Sequence, residues 1–391
     1  MNVIQHIKYI FYILTLMLFL QACQKQPIEE NQILEPDSVS QTEQSEFHIT
    51  NYEEQKSISL LNLEEEDMVL IYDLNDNKIL FHIYKDYKPD EEGFRETGYA
   101  SYSKRLVVFD TEKDCISQEI NLEKNFLCTD AIFLENQLIC VYLIKNQEQE
   151  DISYEYQIVR YENDSSKLVF SSTDCVPYED GVPWLAGLSH KNFAYSYYSY
   201  DTQKFGVNIV NEQNQITPSL SFQQNTEGKE TIHLHMPLTR NKSEYLFYAA
   251  IEGKETVFIG NEEKVEQFEI PENERIFQFC FMGENICAMM QEINENHSSN
   301  YTVMLKDRKG TTLAKTKSKL LYVMASDLSE NALAITREYE PVLVHCNESI
   351  SVTSQKTLPY DSESALFYVI NESNFYVFYP EKLELYKIKI E

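Results

Sequence analysis

Residues 232–270 read IHLHMPLTRNKSEYLFYAAIEGKETVFIGNEEKVEQFEI. Four apolar runs stand out in that stretch, at 232–238 (IHLHMPL), 244–251 (EYLFYAAI), 254–260 (KETVFIG) and 264–270 (KVEQFEI), separated by two to five polar residues. Runs of this length, rich in Val, Ile, Tyr and Phe and bounded by Asn, Glu, Lys and Gly, predict strands joined by tight turns. Apolar spacing of the 3.6-residue kind needed for a helix is absent here and is not sustained elsewhere after the first twenty residues.

The same unit recurs. A polar turn running into a strongly apolar strand is found at Asn77-Lys78-Ile79-Leu80-Phe81, Asn136-Gln137-Leu138-Ile139-Cys140, Lys191-Asn192-Phe193-Ala194-Tyr195, Ser243-Glu244-Tyr245-Leu246-Phe247, Glu284-Asn285-Ile286-Cys287-Ala288, Glu330-Asn331-Ala332-Leu333-Ala334 and Ser373-Asn374-Phe375-Tyr376-Val377. Taking the second residue of each as the mark, the intervals are 59, 55, 52, 41, 46 and 43 residues. A period of about 40–50 residues of four short strands resembles the blades of β-propellers. The resemblance covers residues 57–391 and implies an all-β, seven-bladed β-propeller of four-stranded antiparallel blades. No WD dipeptide, kelch double glycine or sialidase-type Asp box ties it to a named subfamily. A pair of β-sandwiches of similar total length is the alternative that strand alternation alone leaves open.

The last unit contains strands near 365–370, 374–379 and 383–390 and then ends, one strand short. An unpaired edge invites a partner. The run Ile58–Leu63 (ISLLNL), which precedes the first full unit, is therefore expected to close the ring.

The chain opens differently. Tyr9–Leu20 (YIFYILTLMLFL) is one apolar run of 12 residues after Lys8, followed by Gln21-Ala22-Cys23. As a helix it would rise about 18 Å, short of the roughly 30 Å hydrocarbon core of a bilayer. A small residue followed by cysteine at the end of such a run resembles the lipobox of bacterial lipoproteins. The resemblance implies that the Cys23 thiol receives diacylglycerol and that residues 1–22 are removed as a signal peptide; an uncleaved short signal anchor is the other reading. Two acyl chains make a stable anchor at about 0.8 kcal/mol per buried CH₂. The expected place is thus the extracytoplasmic face of the cell membrane. Residues 23–56, the lipidated cysteine and a Gln-, Glu- and Ser-rich stretch, read as an acidic tether with a reach on the order of 30 Å.

Composition narrows the partner. The 391 residues hold 33 Lys+Arg against 63 Asp+Glu, a formal charge of −30, and 43% are hydrophobic. That apolar share supports a large core and excludes a disordered acidic tail. The acidity argues against nucleic acid.

In a propeller blade the first-to-second and third-to-fourth turns lie on one face, and the second-to-third and blade-to-blade connections on the other. The longer insertions, Lys85–Gly98, Lys145–Asp151, Thr173–Gly181 and Gln223–Thr231, all fall on the second. Long loops on a rigid scaffold carry binding. Phe94, Arg95, Tyr178 and Trp184, the sole tryptophan, are the candidate binding residues, being aromatic or guanidinium anchors. Asp90, Glu91, Glu92, Glu179 and Asp180 make that face acidic, which favours a cationic peptide or a sugar over a phosphate. Solvated loops with Trp184 buried in a first strand are the plainer alternative.

Other chemistry is sparse. Cys280 and Cys287 flank Met282-Gly283-Glu284-Asn285; a two-residue Gly283-Glu284 turn sets 280 opposite 287, as a disulfide or as two buried thiols. His233 and His235 share a strand face but have no third ligand by spacing, so no metal is expected. Asp73–Lys78 starts like a calcium loop, yet Lys78 replaces the glycine and Tyr84 the glutamate, so a hairpin turn is expected. No catalytic motif or cofactor fingerprint is present. The functional expectation is a lipid-anchored module binding a protein, peptide or glycan, with a glycan-active hydrolase or lyase using paired carboxylates as the alternative.

Overall fold

The computed structural model describes residues 49–54, 60–75, 77–86, 101–148, 151–162, 165–174, 183–189, 191–224, 232–233, 239–240, 243–272, 274–293, 299–317, 320–323, 331–336, 341–346, 350–354, 366–371, 374–380, 382 and 384–390. All belong to the unit Gln44–Glu391, which clusters apart from Met1–Glu43.

The described residues are strands and turns. β1 (Ile49–Glu54) is followed by a first sheet of β2 (Met68–Leu74), β3 (Lys78–Asp86), β4 (Ser101–Asp110) and β5 (Cys115–Asn121). The second sheet holds β6 (Phe126–Leu134), β7 (Gln137–Glu148), β8 (Asp151–Glu162) and β9 (Ser165–Ser172). A third follows with β10 (Leu185–Gly187), β11 (Phe193–Ser199), β12 (Lys204–Val210) and β13 (Ile216–Gln223). In the fourth, β14 (Ile232–His233) and β15 (Thr239–Arg240) both pair with β16 (Tyr245–Ile251), which continues to β17 (Lys254–Gly260) and β18 (Val265–Glu269). The fifth contains β19 (Glu274–Met282), β20 (Asn285–Ile293), β21 (Ser299–Lys306) and β22 (Thr312–Lys317), and the sixth β23 (Leu320–Val323), β24 (Asn331–Thr336), β25 (Pro341–Cys346) and β26 (Ile350–Ser354). β27 (Leu366–Asn371), β28 (Asn374–Tyr379) and β29 (Glu384–Ile390) form the last sheet, on whose outer edge β1 pairs antiparallel with β29. Each sheet is a meander of consecutive antiparallel strands, the pattern expected of propeller blades.

All seven turn marks of the sequence precede a second strand: β3, β7, β11, β16, β20, β24 and β28. The reason is burial. A second strand is sandwiched between neighbouring strands and covered on both faces by neighbouring sheets, so Ile79, Leu80 and Phe81, or Tyr245, Leu246 and Phe247, are buried without alternation. Fourth strands have a wet side: β9 reads exposed over its first four residues.

Adjacent sheets are glued by apolar clusters. Leu80, Leu106 and Val108 of the first sheet meet Cys128, Leu138 and Tyr142 of the second. Ile139 and Val141 meet Phe193 and Tyr195 of the third, Phe205 and Val207 meet Phe247 and Phe258 of the fourth, and Leu246 and Ile259 meet Phe279 and Phe281 of the fifth. Tyr376, Phe378 and Leu385 of the last sheet pack on Ile79, Phe81 and Phe109 of the first. Each such fully buried side chain contributes about 1.5–3 kcal/mol of transfer free energy.

First strands lie beside one another, β2 against β6, β6 against β10 and β19 against β23. Five of them share an irregularity that the sequence did not announce: a bulge in the pairing with the second strand, between Ile71 and Asp73, Cys128 and Asp130, Ile276 and Gln278, Leu320 and Tyr322, and Val369 and Asn371. A bulge increases local twist.

The third-to-fourth turns form another unannounced repeat. Asp110 ends β4, and Asn211, Asn261 and Asp307 directly follow β12, β17 and β21; each accepts backbone N–H groups two and three or four residues on. Such Asx turns fix short connections. Asn75 does the same for Asn77 and Lys78 in the first hairpin, so the calcium-like stretch is indeed a turn.

Two expectations need correction. The strand on β29 is Ile49–Glu54, within the supposed tether, and not Ile58–Leu63. An outermost strand is half in water, so the polar ITNYEE suits it; Leu61 is instead buried in the seam between the last and first sheets, its carbonyl accepting from Arg105. Lys145–Asp151 is not an insertion, because β7 and β8 extend through it and leave two residues between them. Of the run 232–238, Ile232 and His233 form β14 and residues 234–238 lie outside the described residues.

Candidate functional site

Connections between second and third strands and between sheets share one end of the strands, here termed the long-loop face. First-to-second and third-to-fourth turns occupy the short-turn face. Of the long connections, 87–100, 175–182 and 225–231 lie outside the described residues, and with them Phe94, Arg95 and Tyr178. Cys23 and His235 do so as well.

Trp184 is described. It immediately precedes β10 at the long-loop end of a first strand and is 36% exposed, between buried Pro183 and Leu185. Its backbone is held: the N–H donates to Ser196 Oγ at 2.9 Å, and the carbonyl accepts from Ser196 N at 3.0 Å. Ser196 is itself buried in β11. The indole therefore leaves a rigid backbone into solvent, contrary to the reading of Trp184 as core. At the start of the same connection, Asp174 Oδ1 accepts from Tyr200 N at 2.8 Å and Asp201 N at 3.1 Å, tying the sheet-to-sheet connection to the β11–β12 turn. That turn is braced further by Tyr198 Oη, which contacts Gln224 Oε1 at 2.6 Å and Gln203 Oε1 at 3.1 Å. Four residues of strand from Ser196, beside Trp184, to Tyr200, beside Asp174, span about 13 Å.

Sequence reasoning missed Phe277. It is 48% exposed at the bulge of β19, also towards the long-loop end of a first strand. Regular alternation would put it on the buried face of Phe279; the bulge between Ile276 and Gln278 changes the phase, and a bulge has no signature in this sequence.

Cys280 and Cys287 are Cα partners, as the two-residue turn required. Both are buried and no disulfide joins them. His233 pairs with Ala249 in β14.

A polar group inside the body also bears on chemistry. His82 Nε2 and Ser103 Oγ are 2.7 Å apart, and Ser103 Oγ accepts the Cys128 N–H at 2.8 Å. Tyr72 and Tyr84 stack on the two sides of the imidazole, at 4.7 and 5.2 Å between ring centroids. Burial lowers the His82 pKa from 6.5 to about 3, so the ring is neutral. A histidine–serine pair suggests a base and nucleophile, but Ser103 is fully buried and occupied by a backbone donor. It is a packing element between the first and second sheets.

No protein-family model matches the chain, and no curated protein does. Solved structures similar to it include the Mitotic Checkpoint Complex (7% identity, TM-score 0.49, covering 94% of this chain and 99% of that one). YCF48 bound to D1 peptide is similar at 8% identity and a TM-score of 0.48, over 90% and 98% of the two chains. The β-propeller domain of Myceliophteria thermophila Cps50 (Swd1) gives 10% identity and 0.47, over 88% and 100%. Likeness at this level carries nothing about what the chain binds.

Proposed function

We propose that this chain is a lipid-anchored, extracytoplasmic binding module, a closed seven-bladed propeller that recognises a protein, peptide or glycan on its long-loop face. Support for the ring comes from the pairing of β1 with β29 and from the packing of the last sheet on the first. Support for the anchor is the Leu20-Gln21-Ala22-Cys23 sequence.

The observation that carries the binding reading is Trp184. A large aromatic side chain held in water by a doubly hydrogen-bonded backbone loses little conformational entropy on contact, which is what a recognition anchor requires. The −30 charge of the whole favours a cationic or neutral ligand. Trp184→Ala should abolish capture of envelope or secreted components by the membrane-bound protein while leaving its urea midpoint unchanged. Capture at wild-type levels by that variant would remove the reading. Hydrolysis or elimination of a glycosidic substrate, lost on a single Asp or Glu change, would replace it with the enzymatic one. Cys23→Ala should leave an unprocessed precursor; normal maturation would refute lipidation.

A further inference from the structure

The strand directions decide which face the attached chain reaches. β29 follows the second-to-third connection of its sheet, so Glu384 lies at the long-loop face and Ile390 at the short-turn face. β1 is antiparallel to it, with Ile49 opposite Ile390 and Glu54 opposite Tyr386. β1 therefore begins at the short-turn face with Ile49 and ends at the long-loop face with Glu54.

We infer, on the reading that Cys23 is lipidated, that the short-turn face is presented to the bilayer and the long-loop face, with Trp184, to the medium. The partner is then a peptide or glycan arriving from outside and not the lipid itself. Twenty-five residues, 24–48, separate Cys23 from β1; a polypeptide of that length has a coil reach of about 28 Å, comparable with the roughly 23 Å that a seven-residue strand such as β16 sets between the two faces. Attachment at one face thus biases orientation. The described occupants of the short-turn face agree: its Asx turns at Asp110, Asn211, Asn261 and Asp307 are short and internally satisfied.

The single tryptophan makes the test direct. The full, lipidated protein is reconstituted in vesicles of phosphatidylcholine and phosphatidylglycerol carrying a dansyl headgroup, and energy transfer from Trp184 is compared with transfer from Trp184→Phe proteins bearing Glu263→Trp or Glu284→Trp. Glu263 and Glu284 are exposed residues of short-turn-face connections, in the fourth and fifth sheets. Transfer several-fold higher from the two introduced tryptophans is expected. Equal or greater transfer from Trp184, in protein that floats with the vesicles, overturns the inference and leaves the anchor standing. Protein that does not float overturns the anchor, and the inference with it. Two separate positions are used so that misfolding of one variant, seen in its circular dichroism, leaves the other to decide.

Discussion

The Asp73 carboxylate of the first sheet accepts the backbone N–H of Phe133 in the second at 2.7 Å. One sheet on, Asp130 repeats the contact with Leu185 N at 2.7 Å. Both aspartates directly follow the bulge in their first strand. The bulge turns a short acidic side chain towards the next sheet, where it satisfies an amide of that sheet's first strand on the side away from its ladder partner.

Removing that acceptor leaves a part-buried N–H unpaired. Asp73→Ala should therefore cost about 1–3 kcal/mol, and Asp73→Asn, which keeps one carbonyl oxygen, clearly less. Urea denaturation of the three proteins checks the order; equal midpoints for wild type and Asp73→Ala would show the contact to be idle.

Gly260 is a second seam-setting position. It pairs with Tyr245, whose ring lies over it: a Cβ at 260 would sit 2.2 Å from Tyr245 Cζ and 2.3 Å from its Oη. Tyr245 is fully buried and its Oη is 2.8 Å from Ser219 Oγ in the third sheet. Gly260→Ala should cost about 1–3 kcal/mol by overpacking. In a Tyr245→Leu background the same change should cost much less, and strict additivity in the double-mutant cycle would contradict the account.

His82 gives a pH dependence of defined sign. Its folded pKa, pushed down by burial to about 3, lies below the unfolded value of 6.5. Above pH 6.5 both states are neutral and its stabilisation is complete. As pH falls from there towards 3, only the unfolded chain takes up the proton, and stability declines by about 1.4 kcal/mol per pH unit from this group. His82→Gln removes the titration, so its stability should fall less steeply between pH 6.5 and 4.5. Parallel profiles for the two proteins would contradict the burial of a neutral imidazole.

Ile49–Glu54 should be indispensable. A chain beginning after Glu54 exposes the whole edge of β29, and should lose at least about 2 kcal/mol, the order of two net hydrogen bonds, while aggregating in a concentration-dependent way. A chain beginning at Gln44 should behave as the full protein does. Light scattering and urea midpoints separate the cases; two equally stable chains would mean that the β1–β29 pairing carries no weight.

The second strands were legible because they are buried on both faces and must be continuously apolar, and the turn before each is polar. The Cys280–Cys287 register was legible because a two-residue turn leaves only one pairing. β1 was not, since an outermost strand carries no apolar periodicity and is recognised only by the edge it fills. Ile58–Leu63 misled for the complementary reason: its leucines announce burial, and burial in a seam looks the same in one dimension as burial in a strand. The Asx repeat was within reach, an Asp or Asn directly after an aliphatic third strand, but it is one residue long.

What the amino-acid order determined by itself was local: strand sites, tight turns, the apolar run Tyr9–Leu20 ahead of Cys23, and the overall acidity. These follow from side-chain partition and turn chemistry over fewer than ten residues. The tertiary structure alone decided which strand lies on β29, where the bulges turn Asp73, Asp130 and Phe277, and that Trp184 keeps about a third of its surface in solvent instead of lying in the core. Each of those depends on contacts between segments tens to hundreds of residues apart, where neighbouring sheets, not neighbouring residues, set what is buried.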